Sequence, residues 1–167
     1  MHRIRALVMD VDGTLTDGSI YIGKDGELMK RFYVRDGQAI RHFLPEMGII
    51  PIVVTGRHSE IVARRCEELG IHHVIQGSSE KWRDLSSLLD ILCIQPEETA
   101  YIGDDVNDLD CMLRVGLCAC PGDAETTVRA KAAYVTTAPG GRGAVREFIE
   151  WLGKRNEENP DSERDDQ

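Results

Sequence analysis

One pattern constrains this chain more than any other. A short run of mostly apolar residues stops abruptly at a polar residue, a glycine or a proline, and an amphipathic stretch comes next. Ala6-Leu7-Val8-Met9 is the first such run and Asp10 ends it. Ile50–Val54, His73–Ile75, Thr99–Ile102, Leu117–Cys120 and Ala133–Val135 repeat it. Strands that are apolar throughout are buried on both faces, which demands a parallel sheet covered by helices on each side. The intervening stretches carry the helical period. Ile40, Phe43, Leu44 and Met47 fall at i, i+3, i+4 and i+7, with Pro45 expected to kink or end that helix. Residues 59–69 put Val62, Cys66 and Leu69 inward with Gly70 as the stop, and Trp82, Leu85, Leu89 and Leu92 form another stripe. Shorter helices are expected around Leu109–Leu113, over 124–131 and over 143–153. The expected fold is α/β: a doubly wound, Rossmann-like parallel sheet. One insertion interrupts it. Ser19–Ile22 and Glu27–Val34 flank Gly23-Lys24-Asp25-Gly26, which predicts a β-hairpin over about residues 18–35.

The 167 residues suffice for one domain. The net charge of −9 is partly local, since residues 155–167 hold six acidic and two basic residues, Pro160 and no apolar run. That stretch is expected to be a disordered acidic tail, leaving 1–154 as the folded domain. An acidic domain is a poor ligand for nucleic acid, which needs clustered Lys and Arg. The apolar run after His2-Arg3-Ile4-Arg5 is too short for a signal or a membrane span. Cys66, Cys93, Cys111, Cys118 and Cys120 are odd in number and form no C-x-x-C pair. They are expected to be reduced, in a cytoplasmic protein without a membrane partner.

Ligands of open parallel sheets bind beyond the carboxyl ends of the strands. The residues there are Asp10-Val11-Asp12-Gly13-Thr14, then Thr55-Gly56-Arg57, then Gln76-Gly77 with Lys81 close behind, then Gly103-Asp104-Asp105-Val106-Asn107-Asp108. Any one of these alone has an ordinary reading: a solvated turn, a helix cap, a surface lysine. Together they bring carboxylates, a hydroxyl and an ammonium to one edge. Asp10, Asp12 and Asp104 supply hard oxygen ligands suited to Mg²⁺. One carboxylate can attack phosphorus while Thr55 and Lys81 donate to the phosphoryl oxygens.

This set resembles the haloacid dehalogenase superfamily, from about Arg5 to Leu152. Asp10-Val11-Asp12-Gly13-Thr14-Leu15-Thr16, Thr55, Lys81 and Gly103-Asp104-Asp105-x-x-Asp108 match its four motifs. The resemblance implies that Asp10 is the nucleophile and that Asp12 protonates the leaving group and then activates water. It implies Mg²⁺ held by Asp10, Asp104 and the Asp12 backbone carbonyl, with Asp105 or Asp108 in support. Ser19–Phe32, Val34-Arg35-Asp36-Gly37, Thr55-Gly56-Arg57, Gln76-Gly77 and Gly140-Gly141-Arg142-Gly143-Ala144-Val145-Arg146-Glu147 carry a closer likeness. It is to the branch that removes phosphate from eight-carbon ulosonate sugars, with nine-carbon ulosonates as the alternative. Asn107-Asp108-Leu109-Asp110 and Pro121-Gly122-Asp123 depart from that branch.

Residues 13–54 and 82–103 leave no room for a cap domain. The resemblance implies a homotetramer in which neighbouring subunits close the site and the glycine-rich segment near Arg142 reaches one. Arg57, Arg35 and Arg142, with Gly56, are the candidates to bind the substrate, since guanidinium pairs bidentately with a sugar carboxylate. A phosphorylated receiver module fits poorly, because no middle strand ends in Asp. A non-catalytic oligomerisation module fits poorly too, because Asp10, Asp12, Lys81 and Asp104 are all present.

Overall fold

The structure, a computed structural model, describes residues 2–158. Six strands form one parallel sheet: β1 (Ala6–Met9), β4 (Ile50–Val54), β5 (His73–Ile75), β6 (Thr99–Ile102), β7 (Leu117–Cys120) and β8 (Tyr134–Val135). Their order is β5-β4-β1-β6-β7-β8. β1 lies between β4 and β6, with Ala6 opposite both Ile50 and Thr99. The chain builds outward from β1 to one edge and then returns to build the other. The switch point beside β1 is where such sheets open a crevice, and Asp10 stands there.

Each strand alternates between two cores. Leu7, Met9, Val53, Ala100, Ile102 and Ala119 face one layer; Ala6, Val8, Ile52, Val54, Tyr101 and Cys120 face the other. The first layer is covered by helix α1 (Val34–Gln38), the wide turn Ala39–Phe43, α2 (Leu44–Glu46), α3 (Glu60–Leu69) and α7 (Ala144–Glu158). The second is covered by α4 (Lys81–Leu92), α5 (Leu109–Met112) and α6 (Thr126–Arg129). Leu85, Leu89, Phe148 and Leu152 are almost completely buried, as the helical stripes require. Each such side chain contributes roughly 1.5–3 kcal/mol by leaving water. Tyr134, Phe148 and Trp151 stack at the β8 edge, the Tyr134 and Trp151 rings 4.6 Å apart.

The hairpin is present but shorter than expected: β2 (Tyr21–Gly23) and β3 (Gly26–Met29). Val34 is the first residue of α1 rather than the end of a strand. The carboxylate of Asp36 accepts the backbone N–H groups of Gly143 at 3.3 Å and Arg146 at 2.9 Å, tying α1 to the first turn of α7. The helix widens just before Pro45, where the Leu44 N–H bonds Ala39 O, and it ends one residue beyond Pro45, at Glu46.

The last helix runs to Glu158, four residues past the expected end of the domain at residue 154. A helix already nucleated in the core extends at little cost, and Arg155 in its last turn suits the negative end of the dipole. Residues 159–167, the remainder of the expected tail, lie outside the described residues. Among those described, no cap domain is inserted and no helix is long and apolar enough to cross a membrane.

Candidate active site

After β1 the chain winds through a single wide turn, Val11–Leu15, broken by non-helical backbone at Asp12 and by Gly13 at φ +96°. Thr16 staples it. Its hydroxyl accepts from the N–H groups of Gly13 and Gly18, at 3.3 and 3.2 Å. Gly13 is obligatory, because a Cβ there would lie 2.0 Å from Asp104 Oδ2. Gly140 and Gly141 are equally constrained: Cβ atoms would meet Gly13 O at 1.8 Å and the Thr16 carbonyl carbon at 2.4 Å. The glycine-rich segment therefore packs on the first loop of its own chain.

The carboxylates of Asp10 and Asp12 diverge. Asp10, buried, accepts from Lys81 Nζ at 2.6 Å. Asp12 turns toward the hairpin and accepts from Lys30 Nζ at 2.5 Å. Lys81 opens α4 and its ammonium also reaches Asp108 Oδ1 at 2.7 Å. Thr55 is buried at the end of β4, its backbone fixed by Ile75 and Ser78. Asp104 follows β6 and accepts the Thr14 hydroxyl at 3.1 Å.

Asp105 and Asp108 differ sharply in their surroundings. Asp105 is exposed and caps the short turn that follows, accepting the N–H of Val106 at 2.7 Å and that of Asp108. Asp108 is completely buried. Its Oδ1 accepts from Lys81 and, at 2.6 Å, from the Tyr101 hydroxyl; its Oδ2 accepts from the N–H groups of Asp104 at 3.1 Å and Asp105 at 3.3 Å. Asp108 holds both the ammonium and the Asp104 loop. Burial and the Asp108 charge push the Tyr101 hydroxyl well above its ordinary pKa, so it remains a donor.

Electrostatics mark the centre as a cation site. Ligand oxygens of Asp10, Asp104 and Asp108 lie within 4.8 Å of one another. Burial and the Asp108 charge, opposed by Lys81, push Asp10 up to about 8. Burial and the Asp108 charge push Asp104 up to about 6. Burial works against the Lys81 charge, but Asp10 and Asp108 outweigh it and raise its pKa. One ammonium thus faces three carboxylates, a surplus of buried negative charge that fits a divalent cation. The four hydrogen bonds to Asp108 occupy its oxygens, which leaves Asp10 and Asp104 the better placed ligands.

Arg57 is exposed at the mouth beside Gly56, its Nε 3.9 Å from Asp12 Oδ2. Arg35 and Arg142 do not join this cluster. They are exposed and line a separate hollow with Tyr33, Gln38 and Arg146. Sequence reasoning overlooked Lys30, Thr14 and Tyr101. Thr14 sits in a motif already singled out; Lys30 and Tyr101 carry no local signal.

The family described as haloacid dehalogenase-like hydrolase matches residues 67–149. The chain is 47% identical over 151 residues to the 3-deoxy-D-manno-octulosonate 8-phosphate phosphatase KdsC of Escherichia coli K12, covering 90% of this chain and 80% of that one. It is 46% identical over 149 residues to the Yersinia pestis enzyme of that name, covering 89% and 79%. A crystal structure of the Yersinia pestis phosphatase superposes with a TM-score of 0.89 at 43% identity, over 95% of this chain and 85% of that one. The Moraxella catarrhalis phosphatase, solved with a magnesium ion, a phosphate ion and a KDO molecule, gives 0.87 at 42%, over 92% and 88%.

Proposed function

Since this chain belongs to the haloacid dehalogenase-like hydrolases and is a phosphatase, we propose that it hydrolyses 3-deoxy-D-manno-octulosonate 8-phosphate through an aspartyl-phosphate on Asp10. The observation that carries this reading is the pairing of Asp10 with Lys81 at the switch point while Asp12, two residues on, diverges toward the hairpin and Lys30. The names of the relatives supply the substrate. In the first step Asp10 Oδ attacks phosphorus, the bond from phosphorus to the sugar oxygen breaks, and Asp12 gives its proton to that oxygen. In the second, Asp12 takes a proton from water as the water oxygen attacks phosphorus, and Asp10 is released with inorganic phosphate. Thr55 and Lys81 donate to phosphoryl oxygens as charge spreads over them.

Asp10, Asp104 and the Asp12 carbonyl would hold Mg²⁺, which when bound supplies charge neutralisation at the phosphoryl group. The magnesium in the Moraxella structure supports that choice of ion. Arg57 at the mouth is the candidate for the sugar carboxylate. Arg35 and Arg142, in their separate hollow, serve the substrate only across a subunit boundary. An exposed apolar hairpin face supports a homotetramer. Ile22 is 70% exposed, Leu28 67% and, at the start of α1, Val34 75%. A surface of that kind is normally covered in an assembly. The five unpaired cysteines support a reducing compartment, the cytoplasm.

The test is Mg²⁺-dependent phosphate release from the octulosonate ester beside nine-carbon ulosonate 9-phosphates and hexose phosphates, with Asp10→Asn as control. Strong preference for the first ester, abolished in the variant, is the expected result. Equal turnover of another ester overturns the substrate assignment and leaves the mechanism. In the same assay Arg57→Ala should raise KM for the ulosonate ester more than for an aryl phosphate.

A further inference from the structure

Lys30 sits at the end of the hairpin, outside all four motifs. Its side chain is only 1% exposed, which is rare for lysine unless the ammonium is paired. It is paired twice, with Asp12 Oδ1 at 2.5 Å and Glu27 Oε1 at 2.9 Å. Glu27 in turn accepts from the Ser59 hydroxyl. Ser59 is the N-cap of α3, receiving the Val62 N–H, and its own N–H bonds Gln76 Oε1 at 2.8 Å. A continuous polar chain therefore runs from the loop after β5, through the start of α3, across the hairpin, and ends on the Asp12 carboxylate. Lys30 is the link that touches Asp12.

We infer that Lys30 is a positioning residue: it fixes the Asp12 carboxylate toward the leaving-group side of the site and makes the hairpin a working part of the catalytic apparatus. The inference rests on the reading of Asp12 as the group that protonates the leaving oxygen. At 1% exposure, Lys30 is shielded from substrate and acts through Asp12. A carboxylate on a loop has several rotamers of similar energy, and a proton donor must lie within hydrogen-bond reach of the departing oxygen. The buried ammonium, anchored on its far side by Glu27, removes that freedom. The hairpin also needs the link, since an isolated two-stranded ribbon is marginal in water.

The readout is leaving-group dependence, which a merely structural role would not produce. An alkyl phosphate departs as a poor leaving group and needs the proton; p-nitrophenyl phosphate departs as a stable anion and does not. kcat/KM reports the step that breaks the ester. Lys30→Met keeps the apolar stem and removes the charge. Relative to the parent enzyme it should lose about 10–100-fold in kcat/KM for the sugar phosphate, and at least about tenfold less for p-nitrophenyl phosphate, the scale of a misplaced general acid. Lys30→Arg should recover part of the loss. Asp12→Asn, measured alongside, should show the same bias toward the alkyl ester, and the double variant should be little worse than Asp12→Asn alone. Glu27→Gln, which loosens the anchor and spares Lys30, should show a smaller loss with the same bias and carries the test should Lys30→Met not fold by circular dichroism. Equal losses on both esters in Lys30→Met and Glu27→Gln, beside a biased Asp12→Asn, overturn the role of Lys30 alone. Equal losses in Asp12→Asn overturn the acid reading of Asp12, and this inference with it.

Discussion

Replacing Asp108 with Asn tests the claim that one buried carboxylate holds the site together. Asp108 accepts from two donors on each oxygen: Lys81 and Tyr101 on one, the backbone of Asp104 and Asp105 on the other. An amide has one oxygen. Turned one way, its NH₂ leaves the backbone N–H groups of Asp104 and Asp105 unpaired; turned the other, it faces Lys81, which keeps only Asp10, and the Tyr101 hydroxyl, which must turn to accept. Bonds to a charged group are worth roughly 1.5–3 kcal/mol each, and an unpaired buried donor costs about as much. An opposing effect exists. The Asp108 charge is the second cause, after burial, of the raised Asp10 pKa, and removing it relieves repulsion among the carboxylates. The net loss expected is about 2–4 kcal/mol, a fall in Tm of about 5–15 °C for a chain of this size. Thermal unfolding followed by circular dichroism, in metal-free buffer, measures it. Phosphate release should fall at least about tenfold, because Lys81 loses one of its two anchors and moves. A Tm within about 2 °C of the parent, or above it, would show that repulsion outweighs the hydrogen bonds and that Asp108 is no staple.

Gly13→Ala places a methyl group 2.0 Å from Asp104 Oδ2 at a φ of +96°. Activity should be lost at every Mg²⁺ concentration, while stability falls by only about 1–3 kcal/mol, the cost of left-handed backbone with a Cβ; phosphate assays and urea unfolding separate the two. In metal-free protein the folded-state pKa of Asp10 is raised from 3.8 to about 8, chiefly by burial. The folded state then binds a proton more tightly than the unfolded one, so stability is fully present at low pH and declines as pH rises through about 8. Tm should drop as pH rises from about 4 to about 8 and level off above that, and Asp10→Asn should flatten that drop. Burial pushes the thiols of Cys66, Cys111 and Cys120 up to about 11, 12 and 11. Mass spectrometry after brief iodoacetamide treatment should find the exposed Cys93 alkylated and those three modified only in denaturant.

Much of the site was legible because a parallel sheet delivers every strand end to one edge, so the residues just beyond each apolar run place Asp10, Thr55, Lys81 and Asp104 together. The helices were legible where their stripes were long, as in α3 and α4. What escaped depends on through-space partners. Lys30 meets Asp12 only because the hairpin folds back over the first loop, and nothing periodic marks that return. Tyr101 looks like any strand aromatic until the turn Val106–Asp108 swings Asp108 beneath it. The same turn buries Asp108 and leaves Asp105 exposed, a difference that spacing does not show. Arg35 and Arg142 were grouped with Arg57 as guanidinium partners for a sugar carboxylate, and within one chain the fold sends them to a different hollow. Val34 reads as a strand residue by propensity, but the Asp36 bonds to α7 draw its segment into a helix.

The loop that carries Asp10 is seated on Gly140 and Gly141, and β1 beneath it pairs with β4 on one side and β6 on the other. Every one of those supports is encoded later in the chain than the nucleophile itself. During synthesis from the N-terminus, Asp10 emerges early and waits; β1 has no neighbour until residue 50 and no second neighbour until residue 99. The seat for its loop arrives only with residues 140 and 141. The catalytic centre is thus a late event in folding, set by long-range closure rather than local order. A nascent chain released before that segment would carry every acidic and basic residue of the four motifs and still lack the surface that holds them in place.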